Sequence, residues 1–288
     1  MQKSKVFYII GTGRSIEDVT SEEWEYLKDK ETLSFGGFPY CGIPTKYYLT
    51  YESPNIYIKE LIKNPELTKD IKLDILDIYN NKDTILLLYH NSDIELANNM
   101  GFENIIKINK KSALFYPNRQ PWFTDQKDAP VSFRECRAHD FSQPLFRYRG
   151  SLSAVINSAI ILGATEIRLI GIDLDSQIDF YMEDPDKWIK NDLIRNTFKN
   201  IVLKNRLKRI RNKIKEQNNY DPNEIHNTNH PYMDENRWKG KYLRPISDVI
   251  EWMDRELKSE GLSGIYITSK RSLLYKDKKL KFKGIMDD

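Results

Sequence analysis

The sequence predicts an α/β protein: a mainly parallel sheet with helices on both faces. Three observations lead there. Apolar runs of strand length alternate with helical stretches along much of the 288 residues, the order that gives parallel strands joined by crossover helices. The chain opens on a strand, a glycine loop and a helix, KVFYII followed by GTGRS. A second such unit fills residues 148–175, YRGSLSAVINSAIILGATEIRLIGIDLD, with a small-residue loop, a helix, a tight turn and a buried strand ending in acids. Together these describe a Rossmann-like sheet whose ligands bind outside the carboxyl ends of the strands.

The elements follow in order. Strands are expected at 6–10, 32–35, 47–51, 84–89, 105–108, 167–172 and 265–268, each a short apolar run. Helices are expected at 16–28, 56–62, 93–100, 151–162 and 246–260, where apolar residues recur at helical spacing. Residues 109–147 contain four prolines and read as long irregular structure over the sheet. In the opening loop, Gly11 and Gly13 let the backbone approach a ligand, and Thr12, Ser15 and free amides offer donors to phosphate or ribose oxygens. This loop lacks the third glycine of a dinucleotide fingerprint and the lysine of a P-loop. In the second unit, Arg149, Gly150, Ser151 and Ser153 stand at a helix N-terminus, and Gly171, Asp173 and Asp175 at the carboxyl end of a strand. An anion cradle and a polar site therefore lie side by side.

The segment 176–241 breaks the alternation. It is polar and carries a basic run, Lys199, Lys204, Arg206, Lys208, Arg209, Arg211, Lys213 and Lys215, interleaved with Ile and Leu. A long polar insertion after a site-forming strand is expected to act as a lid. The domain plan is thus an α/β part over 1–175, which the family resemblance described below makes nucleotide-binding, a small helical lid over 176–241, and a return of the α/β part over 242–288. The basic run reads as a solvated face, and its interleaved apolar residues also allow peripheral contact with an anionic membrane.

Composition excludes several classes. A formal charge of +3 from 45 basic and 42 acidic residues leaves no global nucleic-acid footprint. Cys41 and Cys136 build no disulfide framework and no Cys/His metal spacing. With no signal-peptide pattern and no apolar stretch of about 20 residues, the expected location is the cytoplasm, with the inner membrane face as a peripheral site.

With its RGS start and LGATEIRLIGID core, the segment 148–173 resembles the central part of the bacterial lipooligosaccharide sialyltransferases of glycosyltransferase family 42. The opening IIGTGRSIEDV is similar to that family's Gly-x-Gly-x-Ser unit, YITSKRSLL to its closing strand, and EIHNTNHPY falls where it keeps a catalytic histidine. The resemblance implies a GT-A-like variant of the Rossmann-like fold and inverting transfer of a nonulosonic acid from a CMP-activated donor, without metal or other cofactor. It implies a glycan acceptor, lipid-linked in this setting, and a homo-oligomer. Carried onto this chain, it makes His230 the general base and Tyr181 a phosphate-contacting hydroxyl, with Arg149 and Ser151 in the loop around donor and acceptor. Gly11, Thr12 and Gly13 become nucleotide contacts. Thr12, Gly36 and Glu52 stand where the family lines its nucleotide pocket with asparagines, and Glu52 suits ribose hydroxyls. Asp175 occupies the place of a second phosphate-contacting tyrosine.

Two alternatives stay open. Asp173 and Asp175 resemble the Asp-x-Asp of metal-dependent enzymes, and a pyrophosphokinase-like phosphotransferase would hold Mg²⁺ there. A nucleotide- or phosphoglycan-binding module without catalysis would use the same loops. Between the two clustered histidines, His226 and His230, the sequence does not decide which is the base.

Overall fold

The computed structural model describes residues 5–50, 84–89, 91–99, 101–108, 113–114, 132–147, 151–175, 184–189, 192, 195–196, 199 and 245–287. Its elements in chain order are β1 (Val6–Ile10), α1 (Ser21–Leu27), β2 (Glu31–Phe35), β3 (Tyr47–Thr50), β4 (Ile85–Leu88), α2 (Asn91–Asn99), β5 (Ile105–Lys107), β6 (Ala113–Leu114), α3 (Phe133–Cys136), β7 (Phe146–Arg147), α4 (Leu152–Ile161), β8 (Glu166–Ile170), α5 (Pro185–Trp188), α6 (Ile246–Ser259), β9 (Gly264–Ile267), α7 (Leu273–Lys276) and β10 (Lys281–Phe282). Two single 3-10 turns, Arg14–Asp18 and Phe38–Cys41, complete them.

The main sheet runs β10-β9-β8-β1-β2-β3-β4-β5, and every neighbouring pair is parallel. A small parallel pair, β6 with β7, lies apart from it. The fold is thus a mostly parallel α/β sheet with helices, compatible with a Rossmann-like arrangement. Residues 264–282 return to the same sheet as β9 and β10, beside β8.

Alternation along the strands splits the interior into two layers, because successive side chains point to opposite faces. Phe7, Ile9, Leu33, Leu49, Leu87, Ile167 and Leu169 face a core shared with α3, α4 and α6. Tyr8, Ile10, Tyr48, Leu86, Leu88 and Ile170 face the other, with Ile16, Leu27, Phe38, Ala97 and Ile285. Burying each such side chain contributes about 1.5–3 kcal/mol. In α6, Ile246, Val249, Ile250, Met253 and Leu257 recur at helical spacing and are buried. Asp254 on the same face accepts the amide of Ile265 at 2.7 Å and so fastens α6 to β9.

Three expectations change. The first helix, read as 16–28, is a 3-10 turn followed by α1. Val19 ends the first and Thr20 caps the second, its hydroxyl accepting from Glu23 N while Glu23 reaches back to the Thr20 amide. A capping box satisfies two end amides at once and so fixes a start inside the apolar pattern. The stretch 109–147 contains α3 and β7, with Asn157 of α4 accepting the amides of Ala138 and Phe146 at 3.0 and 2.9 Å. The strand read as 167–172 ends at Ile170, because Gly171 takes φ +65° and turns the chain.

Arg168 interrupts the apolar run of β8 and is 2% exposed. Its Nε donates to Glu166 at 2.7 Å, and its Nη1 to the carbonyls of Gly284 and Ile285 at 2.7 and 3.0 Å. The Tyr8 hydroxyl donates to the same Ile285 carbonyl, and Lys283 donates to Glu166. A buried charge persists only when paired and hydrogen-bonded. Here the pairing holds residues 283–285 against the sheet. No helix among the described residues is long and apolar enough to cross a membrane.

Candidate functional site

The chain leaves β1 toward β2 on one side, whereas β8 flanks β1 on the other. The direction of winding therefore reverses between β1 and β8, and the carboxyl ends of these two strands mark the crevice where open α/β sheets bind ligands.

Here the two loops are laced together. Gly11 N donates to Ile170 O at 2.9 Å and Gly13 N to Gly171 O at 2.7 Å. Ser15 then donates twice to one carboxylate: its amide to Asp173 Oδ2 and its hydroxyl to Oδ1, each at 2.6 Å. The close approach demands glycine at position 13, where a Cβ would lie 2.6 Å from Asp173 Oδ2 and 2.8 Å from Gly171 O. The loop after β8 is itself tightly wound, with Leu174 at φ +60°. A non-glycine residue there costs about 1–2 kcal/mol, and such strain concentrates at functional loops.

The loop after β9 joins the same edge. The Thr268 hydroxyl donates to Leu169 O at 3.0 Å, Ser272 Oγ to Ile172 O at 2.7 Å, and Leu273 N to Asp173 O at 2.9 Å. Between the Arg14–Asp18 turn and this loop lies a cleft of 430 Å³, lined by Ser15, Asp18, Glu23, residues 268–271, Lys276 and Ile285. Arg271 is part of this lining, with Nη1 at 3.1 and 3.2 Å from the two oxygens of Asp18.

Asp173 is 2% exposed. Burial pushes its carboxyl above the usual range, and the charge of Asp175 adds to this. The two Ser15 hydrogen bonds and the Arg271 charge act in the opposite direction. Asp175 keeps one buried oxygen, Oδ1, with no hydrogen-bond partner among the described residues. No group of three or more His, Cys, Asp or Glu suited to a metal occurs among the described residues.

The structure brings Gly11, Gly13, Ser15, Gly171 and Asp173 into one contact set and places Thr12 and Asp175 within the same two loops. Ser151 precedes α4, whose other end meets the start of β1 through Lys5 Nζ and Leu162 O at 3.0 Å. The α4 N-terminus accordingly faces the carboxyl edge, and the Ser151 side chain does not cap it. Gly36 follows β2 at φ +64°, and its carbonyl accepts the Tyr48 hydroxyl at 3.1 Å. Asp173 meets the expectation of a site-edge acid differently from a free ligand group, since both its oxygens are taken by Ser15. His230, His226, Tyr181, Arg149, Gly150 and Glu52 lie outside the described residues, as does the basic run beyond Lys199. Lys199 itself pairs with Asp186 at 2.5 Å.

Sequence reasoning passed over Asp18, Thr268 and Arg271. The signal for the last two was present, because residues that directly follow a parallel strand fall on the ligand-binding edge. Past the expected lid's start, Trp188 Nε1 donates to Glu17 at 3.4 Å, so α5 rests on the Arg14–Asp18 turn. Cys136 lies elsewhere; burial pushes its thiol up to about 12, which leaves it a poor nucleophile. Comparison with family models, curated proteins and solved structures gives no match for this chain.

Proposed function

We propose that this protein is an inverting, metal-independent glycosyltransferase that moves a nonulosonic acid from a CMP-activated donor to a bacterial surface glycan. The observation that carries the reading is the lacing of the β1 and β8 loops at the point where the sheet reverses its winding. It fixes the Gly11–Ser15 and Gly171–Asp173 loops at the edge where a nucleotide phosphate binds such folds. The sequence resemblance supplies the identity of the nucleotide and the sugar.

In this reading His230 takes the proton of the acceptor hydroxyl, the resulting oxygen attacks the anomeric carbon, and CMP departs. The Tyr181 hydroxyl and the amides at the start of α4, beside Ser151 and Arg149, meet the charge that gathers on the leaving phosphate. Donors positioned beforehand for such charge are the general route to transition-state stabilisation. The loop of Gly11, Thr12 and Gly13, together with Gly36 and Glu52, holds the nucleoside. Residues 176–241 form the lid, in a GT-A-like variant of the fold. The enzyme acts in the cytoplasm, with its basic run against the inner membrane face, as a homo-oligomer.

A second reading rests on Asp175, whose buried Oδ1, two residues from Asp173, lacks a partner among the described residues. In a phosphotransferase of the pyrophosphokinase kind these two acids would hold Mg²⁺. Thermal-shift titration separates the two. At a hundredfold excess over Kd a ligand adds about 2.7 kcal/mol to stability, so CMP should raise the melting temperature without added metal. A shift seen only with a purine triphosphate and Mg²⁺ would favour the second reading and end the first.

A further inference from the structure

Arg271 lines the 430 Å³ cleft with half of its hydrogen-bonding edge committed. Both contacts with Asp18 are made by Nη1, at 3.1 and 3.2 Å. Among the described residues, its Nε and Nη2 donate to nothing. The ion pair therefore anchors the guanidinium by one nitrogen and leaves a two-pronged N–H edge unused. That edge matches the spacing of two oxygens on one phosphate, the geometry in which arginine surpasses lysine. Lys270 and Lys276 line the same cleft, and so do the Ser269 and Thr268 side chains or backbone.

We propose that Arg271 binds the phosphate of the nucleotide in the cleft between the Arg14–Asp18 turn and the loop after β9. The inference rests on the nucleotide reading above and adds a binding residue to it. Asp18 acts as the positioning partner, holding the guanidinium at Nη1 so that less side-chain freedom is lost on binding. The charge balance sets the class of ligand. Three cations, Lys270, Arg271 and Lys276, face two carboxylates, Asp18 and Glu23, within one lining. A single phosphate is accommodated by this balance, whereas each further phosphate group of a triphosphate meets the carboxylates without a new cation. The site thus selects a nucleoside monophosphate, free or esterified to a sugar, over a nucleoside triphosphate. Arg271 also feels the charges of Asp173 and Asp175, which links the cleft to the laced loops beside it.

Calorimetric titration of the full chain with cytidine, CMP and CTP tests this. Wild type should bind CMP more tightly than cytidine and gain nothing further with CTP. Arg271→Gln should weaken CMP binding about 10- to 100-fold, the worth of a charge-assisted pair of hydrogen bonds, and leave cytidine binding unchanged. Arg271→Lys, which keeps the charge and loses the fork, should fall between. The proposal is overturned if Arg271→Gln binds CMP like wild type, or if it loses cytidine and CMP equally. If wild type binds neither cytidine nor CMP, the function proposed above fails, and inorganic phosphate then decides the subsite alone. Phosphate that raises the melting temperature of wild type and not of Arg271→Gln retains the subsite; phosphate that stabilises neither ends it.

Discussion

The carboxylate of Asp173 is gripped at both oxygens by Ser15, which supplies its amide and its hydroxyl at 2.6 Å each. The two residues belong to different strand ends of the sheet, so this one side chain joins the halves of the fold at its carboxyl edge. A buried carboxylate that accepts from two donors has little freedom to rotate toward a ligand. Its contribution to any site is to hold the Gly11–Ser15 backbone in place.

Ser15→Ala removes the hydroxyl and leaves a buried Asp173 oxygen without a donor. The expected loss is about 1–3 kcal/mol, read from urea denaturation. Gly13→Ala should cost a similar amount or more, because the new Cβ meets a locked carboxylate and a carbonyl at under 3 Å. If Gly13→Ala matches wild type in stability and nucleotide binding, the two loops are not tightly laced in solution.

Arg168→Ala should be the most damaging of the changes considered, at about 3–5 kcal/mol. It leaves the buried Glu166 carboxylate to Lys283 alone and the Ile285 carbonyl to Tyr8 alone, and takes from the Gly284 carbonyl the Arg168 donor. Limited proteolysis should then cut near residue 283 earlier than in wild type. A variant whose C-terminal segment resists protease as well as wild type would show that Tyr8 and Lys283 suffice as anchors.

At the opposite edge, Glu31 bonds Lys46 at 2.5 Å and lies near Lys5. Burial works against its charge, and the Lys46 hydrogen bond with the Lys5 and Lys46 charges outweighs burial, holding the carboxyl below its ordinary value of 4.5. A depressed folded-state value means that the unfolded chain binds the proton more readily. The stability Glu31 contributes is therefore complete above its unfolded value and is lost as pH falls through the folded one. Glu31→Gln should be less stable than wild type at neutral pH, with the difference narrowing as pH falls below the ordinary carboxylate value and through the folded one. A pH-independent difference between the two proteins would assign the effect to packing.

The general-base assignment is tested by His230→Ala. Transfer should drop about 10²- to 10⁴-fold while CMP binding persists, because a base acts on the acceptor and not on the donor. His226→Ala should be mild. If His226→Ala is inactive and His230→Ala is not, the two roles are exchanged; full activity in both removes the histidine base and turns attention to Glu52 or Asp175.

Most of the sheet was legible in the sequence because buried parallel strands are short apolar runs, and 6–10, 167–170 and 265–267 carry that pattern plainly. What the sequence withheld depends on distance along the chain. Nothing local to Asp173 announces that its partner is Ser15, 158 residues away. Arg168 was visible as a charge in an apolar run, and Glu166 lies on the same face two residues before it, yet the carbonyls that complete its shell come from 284 and 285. Elements as short as α7 and β10, in a stretch dominated by lysine, have no periodicity to read. The broken first helix was the exception that local chemistry explains, since Thr20 and Glu23 spell a capping box inside the apolar pattern.

The position of β1 has a consequence for synthesis on the ribosome. Among the described strands it is the earliest in the chain, and it sits in the middle of the sheet, paired on one side with β2 and on the other with β8, Val6 lying opposite Glu166. One edge of this apolar strand therefore has no partner until residues 166–170 have been translated. Long-range pairing of this kind is slow, and an uncovered strand edge invites association with other chains. That edge stays uncovered over the synthesis of the roughly 160 residues that separate β1 from β8.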